Sequence, residues 1–376
     1  MQTTFDINKS PMIVVWEMTR GCDLSDSLCG TGAREKCDPL ELSTPEAERL
    51  LKDIAELQPP IFAFTGDPLR REDVYQLVHF AARQGLRPVM APGSSPHLDR
   101  KAIAELKHSG LWRLQLTLDG STRELHDQTR RTGPSFRRTL EILQWANDWH
   151  LPVQINTNIS TRNSHDLENL AVILKSFRVL LWNLTFPVAG DPEDADELPS
   201  AAEFEAIFAR LYELAQQVPF KIKTTEAQHY RRYVLQQRAR AKSDKVWQAE
   251  FGEGIPGVMP VNQGRATVFI SHAGEVYPGA CMPVSAGNVR FQKLGDIYRT
   301  AEIFTALRDV SKLTGKCGQC NFKEICGGSR ARALSMLGDM FTEDVSCIYR
   351  PGANPRVRNR PQLPQQIEGA KVEEPR

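Results

Sequence analysis

The chain has 376 residues, of which 25% are charged and 41% hydrophobic, and its formal net charge is +1. This composition is typical of a globular protein of one or two domains, and the near-zero charge gives no sign of a nucleic acid partner. Because no apolar run reaches the length of a membrane span and the first ten residues lack a signal-peptide pattern, we expect a cytoplasmic protein without a membrane partner.

The first half of the chain alternates apolar segments with amphipathic helical ones. The apolar segments predict six strands, at residues 13–19, 61–65, 87–91, 111–118, 152–159 and 179–186. The first helical segment begins with a Ser-x-x-Glu capping box at Ser43. Six strand–helix units in series predict an α/β fold, a partial (β/α)6 barrel of the TIM type. Its working loops would follow the carboxyl ends of the strands.

The pattern changes after residue 186. A polar, acidic connection leads to two helical segments, and the second of them, residues 226–245, is rich in arginine. That segment is either a solvated helix face or a patch for an anionic ligand. The sequence TVFISHAGEVYPG, from residue 267, predicts a β-hairpin with Ala-Gly at its turn.

These patterns predict four segments along the chain. The barrel would span residues 10–225, a connecting helical segment 226–265, and a small α+β unit 266–350. Residues 351–376 are rich in proline and polar residues, so we expect a disordered tail there.

The eight cysteines cluster towards the two ends of the chain, a distribution that favours metal or redox roles in a reducing compartment. Cys317, Cys320 and Cys326 form a Cys-x2-Cys-x5-Cys pattern, and Cys347 follows. Four thiolates at this spacing suit an iron–sulfur cluster or a zinc ion, and the spacing does not decide between them. Cys281 stands alone, either as a further ligand or as a small buried hydrophobic residue.

The loop after the first strand contains a second cysteine pattern, Cys22-x3-Asp26-x2-Cys29. It resembles the Cys-x3-Cys-x2-Cys loop of radical SAM enzymes, with aspartate in place of the middle cysteine. In that family three thiolates hold a [4Fe–4S] cluster, and the open iron binds S-adenosylmethionine, whose reductive cleavage yields a 5′-deoxyadenosyl radical. The resemblance implies that Cys22, Asp26 and Cys29 are the catalytic cluster ligands.

The resemblance covers nearly the whole folded chain. VVWEMTRGCDL, DPLELSTPEAERLLKDIAEL and LQLTLDGSTRELHDQTR are similar to the barrel of this family. GEVYPGACMPVSAGNVRFQKLGDIY, KCGQCNFKEICGGSRARA and GDMFTEDVSCIYRP resemble its SPASM or twitch-type auxiliary domain, in the heme-tailoring branch. The resemblance implies that an auxiliary [4Fe–4S] cluster is held by Cys317, Cys320, Cys326 and Cys347.

The resemblance also implies a site for S-adenosylmethionine. Gly66, Asp67 and Pro68, in FTGDPL, correspond to the Gly-Gly-Glu-Pro-like turn that receives its amino group. The residues expected to face its ribose and carboxylate are Thr117 and Asp119 on the fourth strand, Arg130 in the loop beyond it, and Asn156 on the fifth strand.

Three departures from the family pattern fall at this one site. Asp26 replaces a cysteine, Leu28 replaces an aromatic residue or histidine, and FTGDPL is one glycine short. Asp26 would then ligate iron through oxygen, a harder ligand than thiolate, or Cys37 would supply the third thiolate. Alternatively, the loop no longer holds a catalytic cluster.

Two functions therefore stay open, with a zinc-binding module of another class as a third. One is a radical SAM enzyme that modifies a peptide or a tetrapyrrole, with electrons from a donor such as a flavodoxin or ferredoxin. The other is a non-cleaving scaffold that retains only the C-terminal cluster. Residues 182–190 and the arginine-rich segment are candidates to line a pocket for an acidic substrate such as a propionate-bearing tetrapyrrole.

Overall fold

The computed structural model describes residues 5–21, 38–93, 95–130, 135–188, 197–241 and 261–352. The loop that contains Cys22, Asp26, Leu28 and Cys29 lies outside these ranges, as do Cys37 and most of the expected tail. Within the described ranges, every helix is too short or too polar to cross a bilayer.

A ten-stranded sheet forms the centre of the molecule, with the strand order β10-β9-β8-β1-β2-β3-β4-β5-β6-β7. The strands are β1 Ile13–Glu17, β2 Ile61–Thr65, β3 Pro88–Met90, β4 Arg113–Thr117, β5 Val153–Asn158, β6 Val179–Thr185, β7 Lys221–Thr225, β8 Thr267–Ile270, β9 Glu275–Tyr277 and β10 Gly287–Asn288. All six predicted strands form, and each pairs in parallel with the next. The predicted partial barrel is confirmed.

The barrel sheet is wider than six strands, because β7 and β8 add a parallel neighbour at each edge. The segment that forms β7, KIKTT, has a single large apolar residue, Ile222, which is buried. Its lysines alternate with that residue, so the apolar pattern alone gave no strand there. The prediction of β8 as one arm of a hairpin is confirmed, but its parallel pairing with β1 was not predicted.

Twelve α-helices of the described chain surround and extend this sheet. They are Thr44–Leu57, Val74–Arg83, Arg100–His108, Arg123–Arg130, Phe136–Asp148, Leu167–Lys175, Ala201–Leu214, His229–Ala241, Leu294–Thr300, Glu302–Arg308, Gly315–Gly318 and Arg330–Leu337. The predicted capping box at Ser43 is present, since the Glu46 carboxylate accepts hydrogen bonds from the Ser43 amide and hydroxyl, both at 2.8 Å. This bond pair satisfies an amide that the first helical turn leaves without a partner.

Side chains alternate between two faces of each barrel strand. On β1, Val14 and Trp16 are fully buried and pack in the core between the sheet and the helices. Ile13 and Val15 point to the other face and line the lumen of the barrel. This alternation follows from the two-residue period of a strand. The main hydrophobic core therefore lies between the outer face of the sheet and the helices.

Residues 261–352 pack directly against the barrel. The amide of Ile13 and that of Met12 donate to the Ala266 carbonyl, at 3.1 and 2.9 Å. The Tyr298 hydroxyl donates to the Ile7 carbonyl at 2.6 Å, and Arg290 donates to Glu46 at 2.8 Å. The C-terminal part of the chain is thereby joined to the first strand and the first helix of the barrel.

Candidate functional site

A cavity of about 1280 Å³ runs through the barrel from the carboxyl ends of the strands to their amino ends. Strand pairing aligns Thr117, Asn156, Asn183 and Lys223 side by side, across β4 to β7. The level below contains Gln115, Gln154, Leu181 and Lys221. All eight side chains line the cavity, so this half of the lumen is a predominantly polar wall.

Side-chain hydrogen bonds along β5 and β6, and one between β6 and β7, fix the polar wall. The Gln154 amide group donates to the Asn156 side-chain oxygen at 2.7 Å. The Asn183 amide donates to the Thr185 hydroxyl at 3.1 Å and its oxygen accepts from Thr225 at 2.9 Å. Because these groups already satisfy one another, they form a rigid surface in the lumen.

The opposite wall of the lumen is apolar. It is formed by β1, β2 and β8, whose lining side chains include Ile13, Val15, Ile61, Ala63 and Phe269. A ligand that matches both walls needs an apolar body and polar groups along one edge.

The charged residues that line the cavity are almost all cationic. Within the described ranges they are Arg20, Arg87, Arg113, Arg130, Lys221, Lys223, Arg231 and a single carboxylate, Glu226. The lumen therefore favours an anionic ligand. Arg231 belongs to the arginine-rich helix, and Asn183 to the 182–190 segment, both of which the sequence analysis proposed as pocket walls.

The two ends of the cysteine-bearing loop lie at the carboxyl-end mouth of this cavity. Thr19 and Arg20, directly before the loop, line the cavity. The Glu41 carboxylate accepts from the Thr19 hydroxyl at 2.5 Å and from the Asp38 amide at 3.2 Å, so it joins the two ends. The loop with Cys22 and Cys29 is thus attached where barrel chemistry takes place.

A histidine and two acidic residues lie together at the two ends of the same loop. His272 contacts Glu17 at 3.1 Å through Nδ1 and Asp38 at 3.4 Å through Nε2. Glu17 and His272 are both buried, and sequence reasoning missed them. A charged residue at the end of an otherwise apolar strand, in VVWE, was the available signal for Glu17.

Four of the seven residues predicted for S-adenosylmethionine line the cavity, namely Gly66, Thr117, Arg130 and Asn156. Gly66 has a φ of +85°, and a Cβ atom there would lie 2.3 Å from the Thr19 carbonyl oxygen. Only glycine fits this left-handed turn, which places backbone close to the base of the cysteine-bearing loop.

The other three predicted residues, Asp67, Pro68 and Asp119, are buried beside the cavity and do not line it. Asp119 accepts from the Asn158 amide at 2.6 Å and lies 3.5 Å from the guanidinium of Arg130. Arg130 is the last residue of the helix Arg123–Arg130 instead of a loop residue. Asp119 therefore positions Arg130, and Arg130 reaches the lumen.

His126 fixes the turn that contains Asp119, a contact that the sequence did not reveal. The Asp119 amide donates to His126 Nδ1 at 2.9 Å, and the Ser135 hydroxyl lies 3.0 Å from Nε2. Burial lowers the pKa of His126 to about 4. The imidazole is therefore neutral at pH 7, which leaves Nδ1 as the acceptor that this geometry requires.

A second, much smaller pocket is lined by all four cysteines of the C-terminal pattern, Cys317, Cys320, Cys326 and Cys347. Cys281 is exposed and does not line it. The structure thus brings together four predicted ligands that span thirty-one positions of the sequence, from Cys317 to Cys347, and it leaves Cys281 outside the pocket.

Backbone amides point at the sulfur atoms in this pocket. The amides of Phe322 and Gly328 lie 3.4 Å from the sulfurs of Cys320 and Cys326, and the Asp344 amide lies 3.5 Å from that of Cys317. Such donors stabilise thiolate ligands of iron–sulfur clusters. The donor set fits a cluster, although no three His, Cys, Asp or Glu side chains in the described ranges meet the geometry of a site for one metal ion.

Burial keeps the thiols of Cys326 and Cys347 neutral when no metal is bound. It raises the pKa of Cys347 to about 11 and that of Cys326 further still. Ligation by the thiolates would therefore release protons and would weaken as the pH falls.

A hydrogen-bonded network connects the cysteine pocket with the barrel cavity. Asp344 accepts from the Ser329 amide at 2.8 Å and lies 3.3 Å from Arg332. The Ser329 hydroxyl donates to Glu226, which lines the cavity and has a φ of +55°. The cavity and the cysteine pocket are thus built on one connected set of residues.

Several known proteins are similar to this chain in sequence. A sequence profile of the radical SAM superfamily matches residues 16–174. The AdoMet-dependent heme synthase of Methanosarcina barkeri is 33% identical over 353 residues, which cover 92% of this chain and 99% of that protein. The PqqA peptide cyclase of Rhodopseudomonas palustris is 25% identical over 346 residues, covering 91% of this chain and 88% of the cyclase.

Solved structures share the fold. Streptococcus suis SuiB bound to S-adenosylmethionine superposes with a TM-score of 0.69 at 14% sequence identity. The match covers 91% of this chain and 78% of SuiB. The partial barrel and the segment after it therefore have a counterpart in a protein of known structure.

Proposed function

The chain belongs to the radical SAM superfamily, and from this premise we propose that it cleaves S-adenosylmethionine reductively to modify a carboxylate-bearing substrate in its barrel. The observation that carries the proposal is the lumen, in which seven cationic side chains and one carboxylate of the described residues line a cavity with one apolar wall. Relatives in this family use a [4Fe–4S] cluster and S-adenosylmethionine, which together supply a 5′-deoxyadenosyl radical.

This chain's residues would hold and orient these groups at the carboxyl-end mouth. Cys22, Asp26 and Cys29 would bind the cluster, in a loop whose two ends Glu41 joins. The backbone at Gly66 would approach the amino group of S-adenosylmethionine, since no side chain intervenes there. Arg130 would pair with a carboxylate, held in place by Asp119 at 3.5 Å.

The substrate would be of the tetrapyrrole class, a flat apolar ring with ionised propionates. Lys221 and Lys223 lie on the polar wall, and Val15 and Phe269 lie on the apolar wall across the lumen. The likeness to a heme synthase over nearly the full length of both chains supports this choice over a peptide.

The four C-terminal cysteines would hold an auxiliary cluster next to the substrate. Glu226 and Ser329 connect the cavity with this pocket, and Asp344 connects them with Cys317. Residues between the two sites would keep water out, because Ser329 and Asp344 are fully buried. An electron donor such as a flavodoxin or ferredoxin would complete the system.

The proposal is tested by anaerobic reconstitution with iron and sulfide, followed by an iron count. Two clusters give about eight irons per chain, and a lone C-terminal cluster gives about four. Incubation with S-adenosylmethionine and a strong reductant should then release 5′-deoxyadenosine. The Asp26→Cys variant should bind iron more stably, since thiolate is the softer ligand, and should release more 5′-deoxyadenosine.

The same experiment separates the alternatives. About four irons and no 5′-deoxyadenosine, in the wild type and in Asp26→Cys, would show a non-cleaving scaffold. Eight irons in the wild type, with no gain in cluster stability or in 5′-deoxyadenosine release in Asp26→Cys, would show that Asp26 does not occupy a ligand position. An excess of 5′-deoxyadenosine upon addition of a propionate-bearing porphyrin would support the substrate class.

A further inference from the structure

The amino end of the barrel lumen contains a buried arginine, Arg113, at the first position of β4. Its side chain is 5% exposed, and it lines the cavity together with Trp112 and Arg87. Arg113 and Trp112 are called the amino-end site below, and Arg87, which is exposed, flanks them. They lie at the end of the barrel opposite the cysteine-bearing loop, because each stands at or before the first residue of its strand.

Arg113 has no ionic partner in the described part of the chain. Its guanidinium carbon lies 4.7 Å from the centroid of the Trp112 ring, and its Nε is buried without a hydrogen-bond partner in those ranges. Among the described residues, the one carboxylate that lines the cavity is Glu226, which follows the carboxyl end of β7 and so belongs to the other mouth.

A buried charge without a counter-charge is unfavourable unless another group compensates it. Burial lowers the pKa of Arg113 to about 10, so the guanidinium is still charged at neutral pH. The Trp112 ring supplies a partial compensation through its face. The planar donor groups of the guanidinium match a carboxylate, which accepts two parallel hydrogen bonds.

We propose that the amino-end site binds a carboxylate of the substrate and anchors it at the far end of the lumen, away from the reacting end. This inference rests on the proposed function and adds a position and a length to the substrate. Thr117 lies four positions after Arg113 on β4, a distance of about 13 Å along the strand. The substrate thus spans the lumen, with one anionic group at Arg113 and its reacting carbon near Thr117.

The test is a fluorescence titration of the anaerobically reconstituted full chain with a metal-free porphyrin that carries four propionates. Its tetramethyl ester, which has the same ring and no charge, is the second probe. The Arg113→Met variant should bind the acid about tenfold or more weakly than the wild type, as expected for the loss of a hydrogen bond between charged groups. It should bind the ester as the wild type does.

Two matched variants separate anchoring from structure. Arg113→Lys keeps the charge and loses the planar donors, so its affinity for the acid should lie between those of the wild type and Arg113→Met. Arg87→Gln removes the exposed guanidinium on the same Trp112 ring, 5.8 Å from its centroid, and should change affinity by less than about threefold.

Each remaining outcome contradicts the proposal. Equal affinity of folded Arg113→Met and the wild type for the acid would overturn it, and so would a wild type that binds acid and ester equally. If Arg113→Met does not fold, an Arg113→Lys variant that binds the acid like Arg87→Gln would overturn it. A wild type that binds neither probe would overturn it as well, whereas iron content and 5′-deoxyadenosine release would still judge the proposed function.

Discussion

At the scale of single residues, Gly66 shows how backbone geometry shapes the site. Its φ of +85° lies in the left-handed region, and the Thr19 carbonyl occupies the place of a Cβ atom. Thr19 in turn leads into the cysteine-bearing loop. A side chain at Gly66 must therefore displace that strand end.

Gly66→Ala should lower the free energy of unfolding by about 2 kcal/mol or more and weaken S-adenosylmethionine binding. The matched control is Gly85→Ala, which has nearly the same φ, +83°, but no atom within 4 Å of the added Cβ. It should lose about 1 kcal/mol through backbone strain alone. Anaerobic melting temperatures and ligand titrations measure both effects. Equal losses in the two variants would refute a role for the contact with Thr19.

Asp119 and Arg130 contribute to the cavity in different ways. Both were predicted to face S-adenosylmethionine, but only Arg130 lines the cavity. Asp119 is fully buried and bonds to the Asn158 amide. A buried carboxylate at the end of a strand can thus position a cation that lines a cavity.

At the scale of elements, the last helices and turns gather four cysteines around one pocket. The sharp turn after Cys326 depends on Gly327 and Gly328, which have φ values of +66° and +65°. At Gly328 a Cβ atom would lie 2.6 Å from the Arg330 side chain and 3.3 Å from the Cys317 sulfur. Close approach of backbone to sulfur is what a cluster site requires.

Cys317→Ser should lower the iron content of the reconstituted chain by up to about four atoms, because it removes one of four thiolates of a single cluster. Cys281→Ser is the matched control and should leave the iron count unchanged, since Cys281 is exposed and lies outside the pocket. Iron and sulfide assays measure both. Loss of iron in Cys281→Ser alone would reverse the assignment of the ligands.

At the scale of the whole molecule, the C-terminal part completes the sheet of the barrel. β8 pairs with β1 over four residues, from Ile13 with Thr267 to Trp16 with Ile270. Tyr298 and Arg299 also bond to the carbonyls of Ile7 and Lys9, before the first strand. Removal of this part would expose the edge of β1 to water and to other chains.

A fragment that ends at residue 260 should therefore aggregate or remain partly unfolded, although it contains the seven strands β1 to β7. Far-ultraviolet circular dichroism and size-exclusion chromatography measure this. The full chain, reconstituted in parallel, is the control. A monomeric, cooperatively folded fragment would show that residues 10–225 form an independent barrel domain.

The repeating units of the fold were predictable from local sequence patterns. Apolar segments of strand length alternate with amphipathic ones, and all six predicted strands form within two residues of the expected ends. The cysteine spacing also placed Cys317, Cys320, Cys326 and Cys347 in one pocket correctly. These features are local, because hydrophobic period and turn chemistry act over a few residues.

The shape and charge of the lumen depend on contacts between residues that are distant in the chain. β7 was missed, and the partner of β8 is β1, more than 250 positions away in the chain. The facing of Lys221 and Lys223 into the cavity, and the burial of Arg113 beside Trp112, depend on how strands pair and curl. Burial and charge balance are properties of neighbours in space, so a pattern read along the chain does not contain them.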